Sequence, residues 1–260
     1  MYPITMRAAP GEEPSLDLLG FVYAYAGYPA LFEGGAITEE EIRETRAKPI
    51  FNTEDFKKGF AAYVEILRKY GPPGVSTHTW VDMMNLYAAG KAAILMPSAI
   101  NGYAAIGISE DPNVKQHSKF ALAPKGPSGK RIQSFWTFSI GINADSKHKL
   151  EAWKVLSYLC GREAIQAFAE RTGWPNVPMR SVLYSPSLIE KYGLKEIKLN
   201  EESIDIADPY YFPYIMELPD FMDRIGTACS RAVAGDDIDT VLNELQLWAL
   251  DRMFKAGYYR

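Results

Sequence analysis

Two pairs of neighbouring carboxylates, Glu12-Glu13 and Asp236-Asp237, three histidines and a generous set of tryptophans and tyrosines are the residues here that could do chemistry. Acid–base hydrolysis needs two carboxyl groups several ångström apart across a cleft, one of them with a raised pKa. Both pairs instead stand at the starts of helical patterns, where carboxylates cap the chain and complement the macrodipole. His78, His117 and His148 are far apart and lack metal-ligand spacing, so no metal is expected. No Gly-x-Ser-x-Gly elbow and no glycine-rich nucleotide fingerprint occurs, so no cofactor is expected either. Lys125-Gly126-Pro127-Ser128-Gly129-Lys130 reads as a turn, because it lacks the spacing and the following helix of a phosphate loop. The 16 tyrosines and 5 tryptophans fit a large aromatic core, aromatic platforms lining a binding site, or both.

The element best placed to carry a site lies between Thr79 and Tyr103. Thr79 is a candidate N-cap, Val81, Met84 and Ala88 share a helical face flanked by Trp80 and Tyr87, and Gly90 ends the helix. Ala92 to Met96 is an apolar run suited to a buried strand stopped by Pro97, and a small polar loop, Ser98 to Tyr103, follows. Open α/β sheets present ligand sites in such loops. Upstream, Tyr2 to Met6 predicts a strand and Glu13-Pro14-Ser15 opens a helix through Val22. Phe56, Phe60, Tyr63, Val64 and Leu67 predict a strong helix after Asn52-Thr53. Downstream, Lys119 to Ala123 predicts a short strand and Asn101 to Gln116 an irregular polar segment. Ser134 to Ile142 is the clearest strand, with Trp136, Phe138, Ile140 and Ile142 on one face. An Asp145-Ser146 cap precedes a helix with Leu150, Trp153, Leu156 and Leu159. Pro186 to Tyr192 is helical and leads into a polar linker. Two terminal helices carry Phe221, Ile225, Ala228, Ala232 and then Val241, Leu242, Leu245, Trp248.

Composition bounds the class. At 260 residues, with 47% hydrophobic and 23% charged content, the chain is an ordinary globular protein with ample core. A formal charge of −4 supplies no basic field, so nucleic acid is not an expected partner. Cys160 and Cys229 both lie on helical patterns and are expected as buried free thiols. Met1 to Arg7 has neither the basic start nor the apolar middle of a secretory signal.

An ordered set of residues resembles a known family. Trp80, Tyr87, Gly90, Lys91, Ala93 and Ile94 come first, then Ala123-Pro124, then Phe138-Ser139-Ile140-Gly141-Ile142-Asn143. A lysine-bearing helix with Ala152-Trp153 follows, and last the Gly173-x-Pro175 loop with Arg180. Together they resemble the extracellular family-1 solute-binding proteins of sugar ABC importers. The resemblance implies an α/β, type II periplasmic-binding-protein-like fold, mainly the C-terminal lobe plus part of the N-terminal lobe. On that basis residues 1–130 would be C-terminal-lobe α/β, 131–180 a second N-lobe segment and 181–260 a helical return to the C-terminal lobe. It further implies capture of a carbohydrate, sugar or polyol, in an interlobe cleft without chemistry, periplasmic or extracellular placement, and ABC permease subunits as partners.

Sugar recognition combines flat aromatic faces over C–H groups with planar polar groups on hydroxyls. The stacking candidates are Trp80, Trp136, Trp174 and Tyr210 or Tyr211; Trp80 and Trp136 also border core patterns. Arg180 either bonds hydroxyls bidentately or pairs with a surface carboxylate. Ser98 and Asn101 lie at the end of the 92–96 strand. Glu13 is either a macrodipole partner or, as the resemblance implies, a cleft-mouth ligand. Glu217 and Asp223 read as exposed helix residues. Family members begin with a first-lobe segment upstream of the point where the resemblance starts. Strand 134–142 is therefore expected to lack sheet partners and to offer an edge for association. The other classes are an interaction module and a carbohydrate-active hydrolase.

Overall fold

The computed structural model describes residues 1–260 apart from Ala30, Pro97, Ser98, Phe135, Trp136, Gly173 and Arg260, and the side chain of Ala99. β1 (Tyr2–Thr5) leads into α1 (Glu13–Ala26), whose Pro14 in the first turn fits the fixed φ of a helix start. α2 (Glu39–Thr45) opens on a capping box in which Thr38 and Glu41 satisfy each other's backbone amides. α3 (Glu54–Tyr70) buries Phe56, Phe60, Tyr63, Val64 and Leu67, the expected face. α4 (Trp80–Ala88) has a second capping box, Thr79 with Asp82. It ends in a Schellman turn: Gly90 sits at φ 67°, its N–H donating to Tyr87 O and that of Lys91 to Leu86 O. The buried face of α4 is Met83 and Ala88; Val81 is exposed, so the helix is rotated from the expected Val81-Met84-Ala88 face.

β2 (Ala92–Leu95) pairs parallel with β1 in the register Ile4↔Ile94. The region expected to be irregular folds instead as α5 (Ala99–Ile108) and α6 (Pro112–His117), the latter capped by Asp111. Residues 119–123 form no strand; the Phe120 ring stacks on Tyr103 at 4.1 Å. The longest expected strand is also different. β3 is only Gln133–Ser134, paired parallel with β4 (Ala207–Asp208). Residues 137–143 have no ladder partner among the described residues.

The remaining elements are helices: α7 (Lys149–Leu159), α8 (Arg162–Thr172), α9 (Arg180–Leu183), α10 (Pro186–Tyr192), α11 (Leu194–Asp205), α12 (Leu218–Ala234) and α13 (Ile238–Lys255). His148, not Asp145-Ser146, precedes α7, and the expected polar linker is α11, which buries Ile197 and Asn200. Cys229 is buried as expected and Cys160 is exposed; both are free thiols. Among the described residues no helix is long and apolar enough to cross a membrane.

One core gathers α1, α3, α12 and α13 around β1, and a smaller one joins Ala169, Val177, Val182, Leu183, Leu188 and Ile197. The large core depends on how closely α1 and α3 approach. A Cβ on Gly59 would lie 2.3 Å from Val22 Cα, a backbone atom that cannot swing aside. Gly59→Ala gains about 1 kcal/mol of helix propensity but overpacks the contact at roughly 1–3 kcal/mol or more. A net loss of up to about 2 kcal/mol is expected, read as a fall in Tm of up to roughly 4–8 °C; a raised Tm would show that the helices are not held this close.

Candidate functional site

The C-terminal ends of the parallel strands β1 and β2 leave the sheet side by side, where such sheets present ligand sites. From β1 the chain passes through Arg7 and the turn 8–12 to the start of α1. Arg7 makes a bidentate, buried ion pair with Asp17, one turn beyond Glu13 on α1. Burial pushes the Asp17 carboxyl up, against the pull of the guanidinium. The Tyr63 hydroxyl donates to Arg7 O at 2.6 Å, so α3 braces the same corner.

A third segment closes the corner. His78 O accepts from the amides of Ala8 and Ala9 at 2.9 and 3.0 Å, which brings the start of α4 beside the turn. Glu13 Oε2 then accepts from Trp80 N–H at 3.0 Å, placing a carboxylate on the positive end of α4. Glu13 Oε1 has no hydrogen bond among the described residues. Trp80 is 42% exposed, so much of its side chain remains open. Asn101, in the first turn of α5, is only 7% exposed, yet its side chain makes no hydrogen bond among the described residues. Glu13 and Trp80 are thus joined directly, and Asn101 follows the neighbouring strand's exit.

The other candidates are dispersed. Tyr210 is exposed and meets Tyr214 edge-on at 6.4 Å; it follows β4, whose partner strand β3 packs against α1. Tyr211 is a correction: at 2% exposure it belongs to the core, its hydroxyl donating to Leu16 O at 2.9 Å and its ring edge-on to Tyr23. Both lie in the turn after β4, closed by the Tyr211 N–H donating to Asp208 O at 3.2 Å, and the turn aims Tyr211 at α1 and leaves Tyr210 outside. Trp174 is half-buried, edge-on to Phe168 of α8. Arg180 takes the surface-pair option, bound to Glu201 at 2.9 Å and Asp205 at 3.6 Å on α11. Ser98 and Trp136 lie outside the described residues. Glu217, expected to be exposed, is buried, accepting from Tyr258 O–H at 2.9 Å, whereas Asp223 is exposed on α12.

Sequence reasoning missed the Arg7–Asp17 pair and the double acceptor at His78. The first left a trace, a lone carboxylate amid the apolar stretch Leu16-Asp17-Leu18-Leu19. The second is a backbone contact and leaves none. Among the adjacent carboxylates, Asp237 caps α13 through Thr240 N–H at 2.9 Å, and Asp236 pairs with Arg231 at 2.8 Å.

Against this geometry, residues 7–166 match the family model of bacterial extracellular solute-binding proteins. A mannitol-binding protein of Pseudomonas aeruginosa is 26% identical over 230 residues, 83% of this chain and 52% of the relative; the chain spans about half that relative's length. A solute-binding protein of an ABC transporter from Agrobacterium vitis, solved with bound D-mannitol, superposes with a TM-score of 0.80 at 24% identity, covering 100% of this chain and 63% of that one. One from Agrobacterium radiobacter, in complex with ribitol, has a TM-score of 0.79 at 20% identity over 97% of this chain and 60% of its own. The fold is that of periplasmic binding proteins, including the maltose-bound MalE3 of T. maritima at a TM-score of 0.78.

The α4 cap that carries Trp80 is testable by acid. Hydrogen bonds from the Thr79 hydroxyl and amide hold the Asp82 carboxyl below its usual range. A depressed carboxylate stabilises the fold above its unfolded pKa, and that stabilisation is lost as pH falls through the folded value. Asp82→Asn is expected to lower Tm near neutral pH and to flatten its fall between about pH 4 and about pH 2. The flattening is partial, because Glu41 and Asp237 are depressed by the same kind of cap. Melting curves across that range check it; an unaltered acid slope would remove Asp82 from the linkage.

Proposed function

We propose that this chain, which belongs to the bacterial extracellular solute-binding protein family, captures a carbohydrate, a sugar or polyol, for an ABC importer and does no chemistry on it. The observation that carries this is the join between Glu13 and the open Trp80 at the C-terminal exits of two parallel strands. A carboxylate oxygen free of protein partners accepts from hydroxyl pairs, while an indole face covers the apolar C–H side of a carbon chain or ring. Asn101, buried and with no side-chain hydrogen bond among the described residues, supplies both a donor and an acceptor. Tyr210 and Trp174 are the outer stacking faces of the same reading, and Ser98 and Trp136 belong to it from the sequence.

The ligand class rests on the relatives, described as binding mannitol or solved with D-mannitol and ribitol. Linear polyols suit a site with one aromatic face and several planar polar groups. The division at residues 130 and 180, the permease pair as docking partner and a location outside the cytoplasm belong to the same proposal. The adjacent carboxylates support the reading without turnover, since Asp236 and Asp237 are engaged at the start of α13 and Glu13 at the start of α4.

Thermal melting of the 260-residue chain against D-mannitol, ribitol and maltose tests the proposal. A ligand at a hundred times its Kd adds about 2.7 kcal/mol, so a rise of roughly 5–10 °C at that concentration is expected with one of the polyols, growing with the logarithm of its concentration. Trp80→Ala should weaken that binding by about three- to tenfold, and Glu13→Gln by about tenfold or more. Equal rises with the variants and the unaltered chain would move the site elsewhere.

A further inference from the structure

A recess between the end of α2 and the last turns of α13 shares no residue with the Glu13–Trp80 corner. It has a volume of about 490 Å³ and is lined by Arg46, Lys48, Leu250, Asp251, Phe254 and Tyr259, a size in the range of small-molecule sites. Its walls are fixed by contacts that join the two elements. The Tyr259 hydroxyl donates to Ala47 O at 3.1 Å, and the Tyr258 hydroxyl donates to the buried Glu217 at 2.9 Å. The Arg43 guanidinium donates to Gly257 O at 2.7 Å and lies over the Tyr258 ring. The 256–259 turn is thereby strapped to residues 43–47, so the recess is formed before any ligand arrives.

The charges lining this recess are unbalanced. Arg46 caps α2 in the left-handed region, at φ 53° and ψ 35°, the one non-glycine residue at positive φ among the described residues. That conformation crowds the Cβ of an L residue and favours glycine or asparagine. Yet the arginine side chain makes no hydrogen bond or ion pair among the described residues that would offset the strain, and the Lys48 ammonium is equally unengaged there. The carboxylates close by are already taken: Asp251 pairs with Lys255 at 2.6 Å, and Glu33 accepts from Lys48 N–H at 3.1 Å. Beside these two cations Phe254 is 57% exposed, one turn beyond Leu250. We propose that the recess binds a small aromatic carboxylic acid, its carboxylate held by Arg46 and Lys48 and its ring laid against Leu250, Phe254 and Tyr259. A guanidinium fork matches a carboxylate bidentately, and aromatic rings pack on one another offset or edge-on. A bare inorganic anion leaves the apolar lining uncovered, and a neutral aromatic leaves both cations unmatched. A polyol offers neither a charge nor a flat face, so this site and the Glu13–Trp80 corner are independent.

Benzoate, phenylacetate and indole-3-acetate titrated into the 260-residue chain, followed through backbone amide chemical shifts, test the assignment. At least one of the three is expected to move residues 46–48 and 250–259 saturably, at a Kd of about 1 mM or tighter, and to leave Glu13 and Trp80 unmoved. Benzamide, the benzoate ring without its charge, should bind at least about tenfold more weakly than benzoate. Arg46→Gly separates binding from folding. Glycine fits the left-handed position, so melting holds or rises, while affinity for the acid falls about tenfold or more. Phe254→Ala, at an exposed position, should weaken binding about threefold with melting unchanged. Silence from all three acids, shifts confined to other residues, equal binding of benzamide, or full binding by the Arg46→Gly chain would each overturn the proposal. Displacement of the acid by an equal concentration of inorganic phosphate would overturn it too, by making this a site for any anion.

Discussion

The buried Arg7–Asp17 pair is the contact on which the candidate site depends. It fastens the exit of β1 to the second turn of α1 and thereby sets where Glu13 lies. Taking two charges out of water is costly, and such a pair is weak evidence of net stability. Its value is positional: loss of either partner leaves an uncompensated buried charge at a cost of about 3–5 kcal/mol. That asymmetry resists any sliding of α1 along the sheet. The Tyr63 hydroxyl on Arg7 O ties the same corner to α3, whose own distance from α1 is set by Gly59.

The core around that corner is ordinary in chemistry and specific in geometry. α12 comes equally close to the turn before α1, since a Cβ on Gly226 would overlap Gly11 O. Phe51, Phe56 and Phe221 meet at centroid distances of 5.1 and 5.9 Å. The Gln246 side chain satisfies both the Phe51 amide and the Pro49 carbonyl, pinning the loop before α3 to α13. Polar groups are therefore spent on fixing loops and strand exits, and apolar area on joining the helices.

The two halves of the molecule differ in how their apolar residues are used. Up to β2, and again from Tyr211 onward, large side chains are buried in one core. Between 137 and 160 residues of the same kind face solvent, on a segment with strand alternation and on a helix. A helix such as α7 closes its backbone hydrogen bonds within its own segment, but a strand requires a neighbour to accept and donate them. This difference accounts for α7 forming without cover while 137–143 does not join a sheet.

Local signals in the sequence settled much of this protein. Thr79 as a cap and Asp236 or Asp237 as another, Gly90 as the helix end, the buried face of α3 and the place of the strand at 92–95 follow from side-chain chemistry within a few residues. The burial expected of that strand does not hold, since Ile94 is 53% exposed. The ordered motifs likewise carried the family and its fold. Decisions that join distant residues belonged to the tertiary structure. Nothing in the string says that Asp17 faces Arg7, that Glu13 meets the Trp80 amide, or that Arg180 is taken by Glu201. Tyr210 and Tyr211 are chemically identical, and only packing against α1 determines that one is core and the other open. The strand expected at 134–142 shows the same limit from the other side. Alternation records a preference for a sheet, but a sheet exists only where a second strand is present.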